Sequence, residues 1–159
     1  MYYGEYQTTL DEKGRITVPS RFRELMKVLN HHVWYMARGF DGAVALYNQE
    51  EWSKLSGEFK GLAVMDVRAL DFRRLFFGSV AEVQWDQQGR MAVPAHLRAH
   101  GGLEREVVVL GLGDHLELWG RARWDAFLGD KGQQFKEMAS ALFSKQQDAS
   151  GSGPADREN

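Results

Sequence analysis

Asp11, Glu12, Lys13, Gly14 and Arg15 gather two cations and two carboxylates around a glycine. Alternating residues on either side place this cluster at a turn between two short strands. A rigid turn of that kind can present Lys13 and Arg15 to phosphates or to base edges. Arginine suits guanine because its planar fork meets two acceptors at once. The same spacing also suits an Asp11–Arg15 pair that merely braces the turn. Spacing alone does not separate the two roles.

Residues 86–90, Asp-Gln-Gln-Gly-Arg, carry the cluster a second time. Asp86, Gly89 and Arg90 match Asp11, Gly14 and Arg15, whereas Glu12 and Lys13 become Gln87 and Gln88. Asp11, Gly14, Asp86 and Gly89 therefore read as turn-positioning residues, and the glycines supply backbone angles that other residues resist. Lys13, Arg15 and Arg90 read as candidate DNA contacts, with the first turn expected to bind more strongly. Arg21, in the helix that follows, is a further candidate and becomes His96 in the second copy. Arg23 recurs as Arg98, which favours a structural role in a pair with a carboxylate.

Other chemistry finds little support. His96 and His100 share a helix face, but no glutamate follows His96 and no cysteine exists to complete a zinc site. Gly111-Leu112-Gly113 begins like a dinucleotide fingerprint, yet Leu116 stands where the third glycine belongs. No nucleophile elbow and no paired-acid motif stands out. No catalytic residue, metal or cofactor is expected, and the reading is not that of an enzyme.

The elements that position these residues recur as well. Residues 11–23 and 86–98 are identical at six positions at an offset of 75: Asp11, Gly14, Arg15, Val18, Pro19 and Arg23 in the first copy. Roughly one match would arise by chance in such a span. The repeat resumes at an offset of 72 with Gly39/Gly111, Leu46/Leu118 and Trp52/Trp124. Each copy predicts a strand, the polar turn, a return strand, a short helix opened by Pro19 or Pro94, and two more strands. Asn48 then caps a helix bearing Trp52, Leu55 and Phe59, with Glu51 placed for a capping box. A further helix is expected from about Val64 to Phe77, with Met65, Ala69, Phe72 and Phe76 on one stripe. Its aromatic bulk exceeds what so short a helix needs, which points to subunit contact at Phe72 and Phe76. Phe135, Met138, Leu142 and Phe143 mark the matching last helix. The polar stretch 147–159 is expected to be a disordered tail.

The chain has 159 residues, 43% hydrophobic and 26% charged, with no cysteine and a formal net charge of −2. These values suit a soluble globular protein and exclude disulfide and thiolate chemistry. A slightly acidic chain can bind nucleic acid only through a focused cationic patch. No apolar run approaches the roughly 18 residues of a membrane span, and the first residues lack a signal-peptide pattern. A cytoplasmic location, with no membrane partner, is expected.

The motifs DEKGRITVPSRFRE, RGFDGAVALYNQEEW, ALDFRRLFFGSVAEV and DQQGRMAVPAHLR together resemble the MraZ family, bacterial regulators with two AbrB-like (SpoVT-AbrB) units. The resemblance covers roughly residues 1–143. It implies a mainly β, α+β fold in which tandem swapped-hairpin units form one double-psi-like β-barrel. Units at 5–50 and 79–122 would be followed by helices at 51–78 and 123–146. The resemblance further implies a ring-shaped homo-oligomer, commonly of eight, that binds direct repeats in double-stranded promoter DNA. The regulated genes would be the division and cell-wall cluster, including the chain's own gene, and the protein would be nucleoid-associated. No small-molecule substrate is implied. The alternative is an AbrB-like antitoxin or other protein-binding module, although no aromatic or branched aliphatic residue follows Phe143 to anchor a partner.

Overall fold

The protein is described here by a computed structural model covering residues 1–61 and 65–150. Tyr2–Thr9 forms β1, Arg15–Thr17 β2, Val33–Arg38 β3 and Val44–Asn48 β4. The second copy supplies β5 (Ala81–Gln84), β6 (Arg90–Ala92), β7 (Glu106–Gly113) and β8 (Leu116–Gly120). The result is an α+β fold with two repeated units around a β core. Six strands form one sheet in the order β1-β7-β8-β4-β3-β5, and β2 pairs with β6 separately.

The pairing is crosswise between copies. β1 lies antiparallel to β7, with Tyr6 opposite Val109, and β5 lies antiparallel to β3, with Val83 opposite Trp34. Each copy's first strand thus pairs with the third strand of the other copy. β2 meets β6 at Ile16 and Met91, and β4 meets β8 at Val44 and Leu118. Within each copy the predicted strand-turn-strand arms do not pair as a ladder and meet through the single bridges Leu10 to Ile16 and Trp85 to Met91. Val107, Val108 and Val109 are all buried, as a strand covered on both faces requires.

Helix α1 (Ser20–Val28) follows β2, and α4 (Ala95–Gly101) follows β6. Pro19 and Pro94 occupy the capping position before each helix, one residue earlier than the sequence suggested. Gly102 ends α4 in the left-handed conformation, which makes it shorter than α1. Their apolar faces, Phe22 and Met26 in α1 and Leu97 in α4, join Ile16, Val18, Trp34, Met91 and Val93 in one core. The Asn48 side chain caps α2 (Gln49–Phe59) by accepting from the Glu51 amide at 3.0 Å. The Glu51 carboxylate turns instead to Lys54, 3.2 Å away.

Helix α3 spans Val67–Phe77, capped by Asp66, whose carboxylate accepts from the Arg68 amide. The predicted start at Val64 lies outside the described residues. Met65 precedes the helix and is exposed, so it is not part of the buried stripe. The aromatic bulk of α3 is used within the chain. Phe72 and Phe76 pack on Phe59 at 5.2 and 5.1 Å between ring centroids, and Trp52 stacks on both Phe76 and Tyr35. Phe76 is only 8% exposed.

One compact unit, Met1–Trp124, contains both sets of strands. Helix α5 (Arg121–Lys131) crosses its boundary. The second unit begins at Asp125 and carries α6 (Phe135–Ser150). The first residues of the predicted tail are thus helical, and 151–159 lie outside the described residues. Among the described residues no helix is long and apolar enough to cross a membrane.

Candidate nucleic-acid interface

The two turns are built alike from their aspartates outward. One Asp11 carboxylate oxygen accepts from the Lys13 and Arg15 amides, both at 2.9 Å. The other takes the Arg15 Nε at 2.8 Å. Asp86 does the same for Gln88 and Arg90, with its second oxygen 3.0 Å from the Arg90 Nε. Gly14 and Gly89 each adopt a φ of 75°, the left-handed region that glycine enters without steric cost. The turns also brace one another. The Val18 amide donates to the Gly89 carbonyl at 2.8 Å, and the Val93 amide to the Gly14 carbonyl at 2.9 Å.

Arg23 and Arg98 complete this brace, and they do it crosswise. The Arg98 guanidinium lies under Gly14, where a Cβ would come within 2.2 Å of its Nη1, and Arg23 lies in the same way under Gly89. Arg98 Nη1 donates to the Val93 carbonyl. The sequence pointed to a carboxylate partner for Arg23. Among the described residues neither Arg23 nor Arg98 forms an ion pair, and the guanidinium packs on the other copy's turn. The signal for this role was their survival among the six identities of the repeat.

The free cationic chemistry is unequal. Arg15 commits its Nε to Asp11, while its Nη atoms meet no partner among the described residues; its side chain is 26% exposed. Lys13 beside it is exposed. In the second turn, Arg90 also donates from Nη2 to the Gln88 side chain. A lysine cannot accept a hydrogen bond, so the first turn has no equivalent restraint. Arg21 is exposed but lines an open cleft with Tyr3, Tyr6 and Val28, and no residue of either turn lines that cleft. Among the described residues no hydrogen bond or ion pair joins Arg21 to either turn.

Asp11 and Asp86 both have lowered pKa values, chiefly because the Arg15 and Arg90 amides donate to their ionised carboxylates. A carboxyl whose folded pKa is lowered stabilises the fold above its unfolded value, and that contribution is lost as pH falls through the folded value. The wild type is therefore expected to lose more thermal stability between about pH 6 and pH 3 than an Asp11→Asn/Asp86→Asn variant. Calorimetric melts of the two proteins across that range check this; parallel curves would contradict it.

The histidine pair is otherwise engaged. His96 Nε2 lies 2.8 Å from the Ser79 carbonyl and His100 Nε2 3.1 Å from the Gly39 carbonyl. Among the described residues no group of three metal-ligating side chains comes together.

A family model described as "MraZ protein, putative antitoxin-like" matches residues 1–75 and again 76–146. Two curated relatives bear the name Transcriptional regulator MraZ. The one from Heliobacterium modesticaldum is 38% identical over 143 residues, covering 90% of this chain and 97% of the relative. The one from Acetivibrio thermocellus is 35% identical over 142 residues, covering 89% and 96%.

Proposed function

The chain belongs to the MraZ family, and from that premise we propose that it is a transcriptional regulator that binds promoter DNA through its first turn. The observation that carries this reading is Arg15. Asp11 holds its Nε, its outer nitrogens are uncommitted, and exposed Lys13 stands beside it on a braced turn. Such a fork is aimed before it meets a ligand, so little rotamer freedom is lost on binding. Its two Nη atoms suit guanine acceptors or a phosphate. Arg90, drawn to Gln88, serves as the weaker contact.

Several finer points follow the same reading. The crosswise strands correspond to swapped-hairpin units, at 5–50 and 79–122, of a double-psi-like barrel. Copies assemble into a ring, so several first turns meet successive direct repeats at once, and avidity replaces a large single-site affinity. The target is the promoter of the division and cell-wall cluster that includes the chain's own gene, and the protein works as a cytoplasmic, nucleoid-associated regulator rather than an enzyme.

A mobility shift with duplex DNA from upstream of the chain's own gene tests the proposal. Retardation of that duplex at concentrations that leave a scrambled duplex free is expected; no retardation of either would remove the proposal. Lys13→Ala is expected to weaken all DNA sequences alike and to lower the salt slope by about one for each engaged turn, as loss of a phosphate contact should. Binding titrations at several salt concentrations check this, and a loss confined to one sequence would contradict it.

A further inference from the structure

The two-stranded ribbon of β2 and β6 has an outward face as well as its turns. Ile16 and Met91 are buried in the core, so the alternate residues Arg15, Thr17, Arg90 and Ala92 share the opposite face. Arg15 stands directly opposite Ala92, and Thr17 directly opposite Arg90. The Val18 and Val93 amides, bonded to the Gly89 and Gly14 carbonyls, carry the ladder into both turns. Thr17 and Ala92 are exposed, so each arginine has beside it a small exposed side chain of the other copy, with Cβ atoms about 4.5–5.5 Å apart. Thr17 and Ala92 are the same position in the two copies, at the offset of 75. Strand formation accounts for a threonine there but not for an alanine, which strands disfavour. What the two side chains share is an exposed methyl group and little bulk.

We propose that Thr17 and Ala92 are specificity-determining residues, which set their methyl groups against the C5-methyl groups of thymines in the major groove. A two-stranded ribbon fits that groove, which is about 12 Å wide, and thymine is the one unmodified base that presents a methyl group there. Small side chains let the ribbon approach the base edges, and an apolar contact then adds to the hydrogen bonds of the arginines. Base pairs follow one another at about 3.4 Å, so each thymine lies at the step adjoining the base pair taken by the opposite arginine. The proposal rests on the DNA reading above and names the bases beside its arginine contact.

Two forms of the promoter duplex test it, one with thymine and one with uracil, which lacks the methyl group, at every thymine position. Burial of one methyl-sized group is worth about fourfold in affinity, so wild type is expected to bind the uracil duplex about tenfold or more weaker. Thr17→Ser removes the methyl and keeps the hydroxyl; it is expected to bind the thymine duplex about fourfold weaker than wild type. Thr17→Ser/Ala92→Gly is expected to bind the two duplexes alike. Circular dichroism melts establish that the variants are folded. Should Ala92→Gly unfold the chain, Thr17→Ser alone decides, because its penalty for uracil must be smaller than that of wild type. A wild type that prefers the promoter to a scrambled duplex yet binds the thymine and uracil forms equally overturns the methyl contacts and leaves the DNA reading standing. A folded double variant, or in its absence Thr17→Ser, that keeps the wild-type penalty for uracil does the same. A wild type with no preference for the promoter overturns both.

Discussion

Arg15→Ala is expected to remove most of the sequence-specific DNA binding, and Arg90→Ala to remove distinctly less. A bidentate arginine–guanine contact contributes about 1–3 kcal/mol of discrimination. In an assembly the loss recurs at every engaged subunit, so the apparent affinity falls steeply although each contact is modest. Arg90 has less to lose because Gln88 already holds its Nη2. The same logic makes Gln88→Lys a gain: it releases that nitrogen and adds the cation that Lys13 supplies in the first turn. Anisotropy titrations of Arg15→Ala, Arg90→Ala and Gln88→Lys on one promoter duplex check all three. Because Arg15 also pairs with Asp11, the variants must be melted as well. A fall in binding with an unchanged melting temperature assigns Arg15 to DNA, whereas parallel losses assign it to the turn. Equal binding losses at Arg15 and Arg90 would contradict the asymmetry.

Trp34→Ala is expected to be the most damaging single substitution in the core. The indole is fully buried, meets Tyr2 edge-on at 5.4 Å, and donates its Nε1 to the His31 carbonyl at 3.1 Å. Its strand lies between β4 and β5, opposite Asn48 and Val83, so it ties the two copies together. Truncation of a buried tryptophan costs about 3–5 kcal/mol, a large share of the roughly 5–15 kcal/mol that holds a domain folded. In a chain of this size the melting temperature should fall by about 10 °C. Trp85 donates to the same carbonyl at 3.0 Å but is only half-buried, so Trp85→Ala should cost less. Circular dichroism melts of both variants test the ranking; a Trp34→Ala melt close to wild type would contradict the account of the core.

What could be read from the residues was local, and what could not was a matter of partners. The turn at Asp11–Arg15, the repeat, the Asn48 cap and the stop at Gly102 depend on neighbours in sequence, and each is found where its residues stand. Alternation in Tyr6, Thr8 and Leu10 announces a strand and its faces but carries nothing about which strand lies alongside. The pairing of β1 with β7 and β5 with β3 was therefore not legible. The placement of Arg23 and Arg98 under each other's turns follows from that interleaving and was hidden with it. The packing of Phe72 and Phe76 on Phe59 was likewise not legible, because Phe59 sits on a separate helix whose return path no periodicity reveals. The bond from Arg90 Nη2 to Gln88 lay in plain view as a glutamine two residues before an arginine, but only geometry shows the two side chains meeting.

The central claim is that the first turn reads DNA sequence. The most direct measurement is the ratio of dissociation constants for a promoter duplex and a scrambled duplex of equal length and composition, taken near physiological salt for wild type and for Arg15→Ala. The account predicts that wild type prefers the promoter by about a thousandfold or more and that Arg15→Ala brings the ratio close to one. A wild-type ratio near one, or a ratio left unchanged by Arg15→Ala, would contradict it.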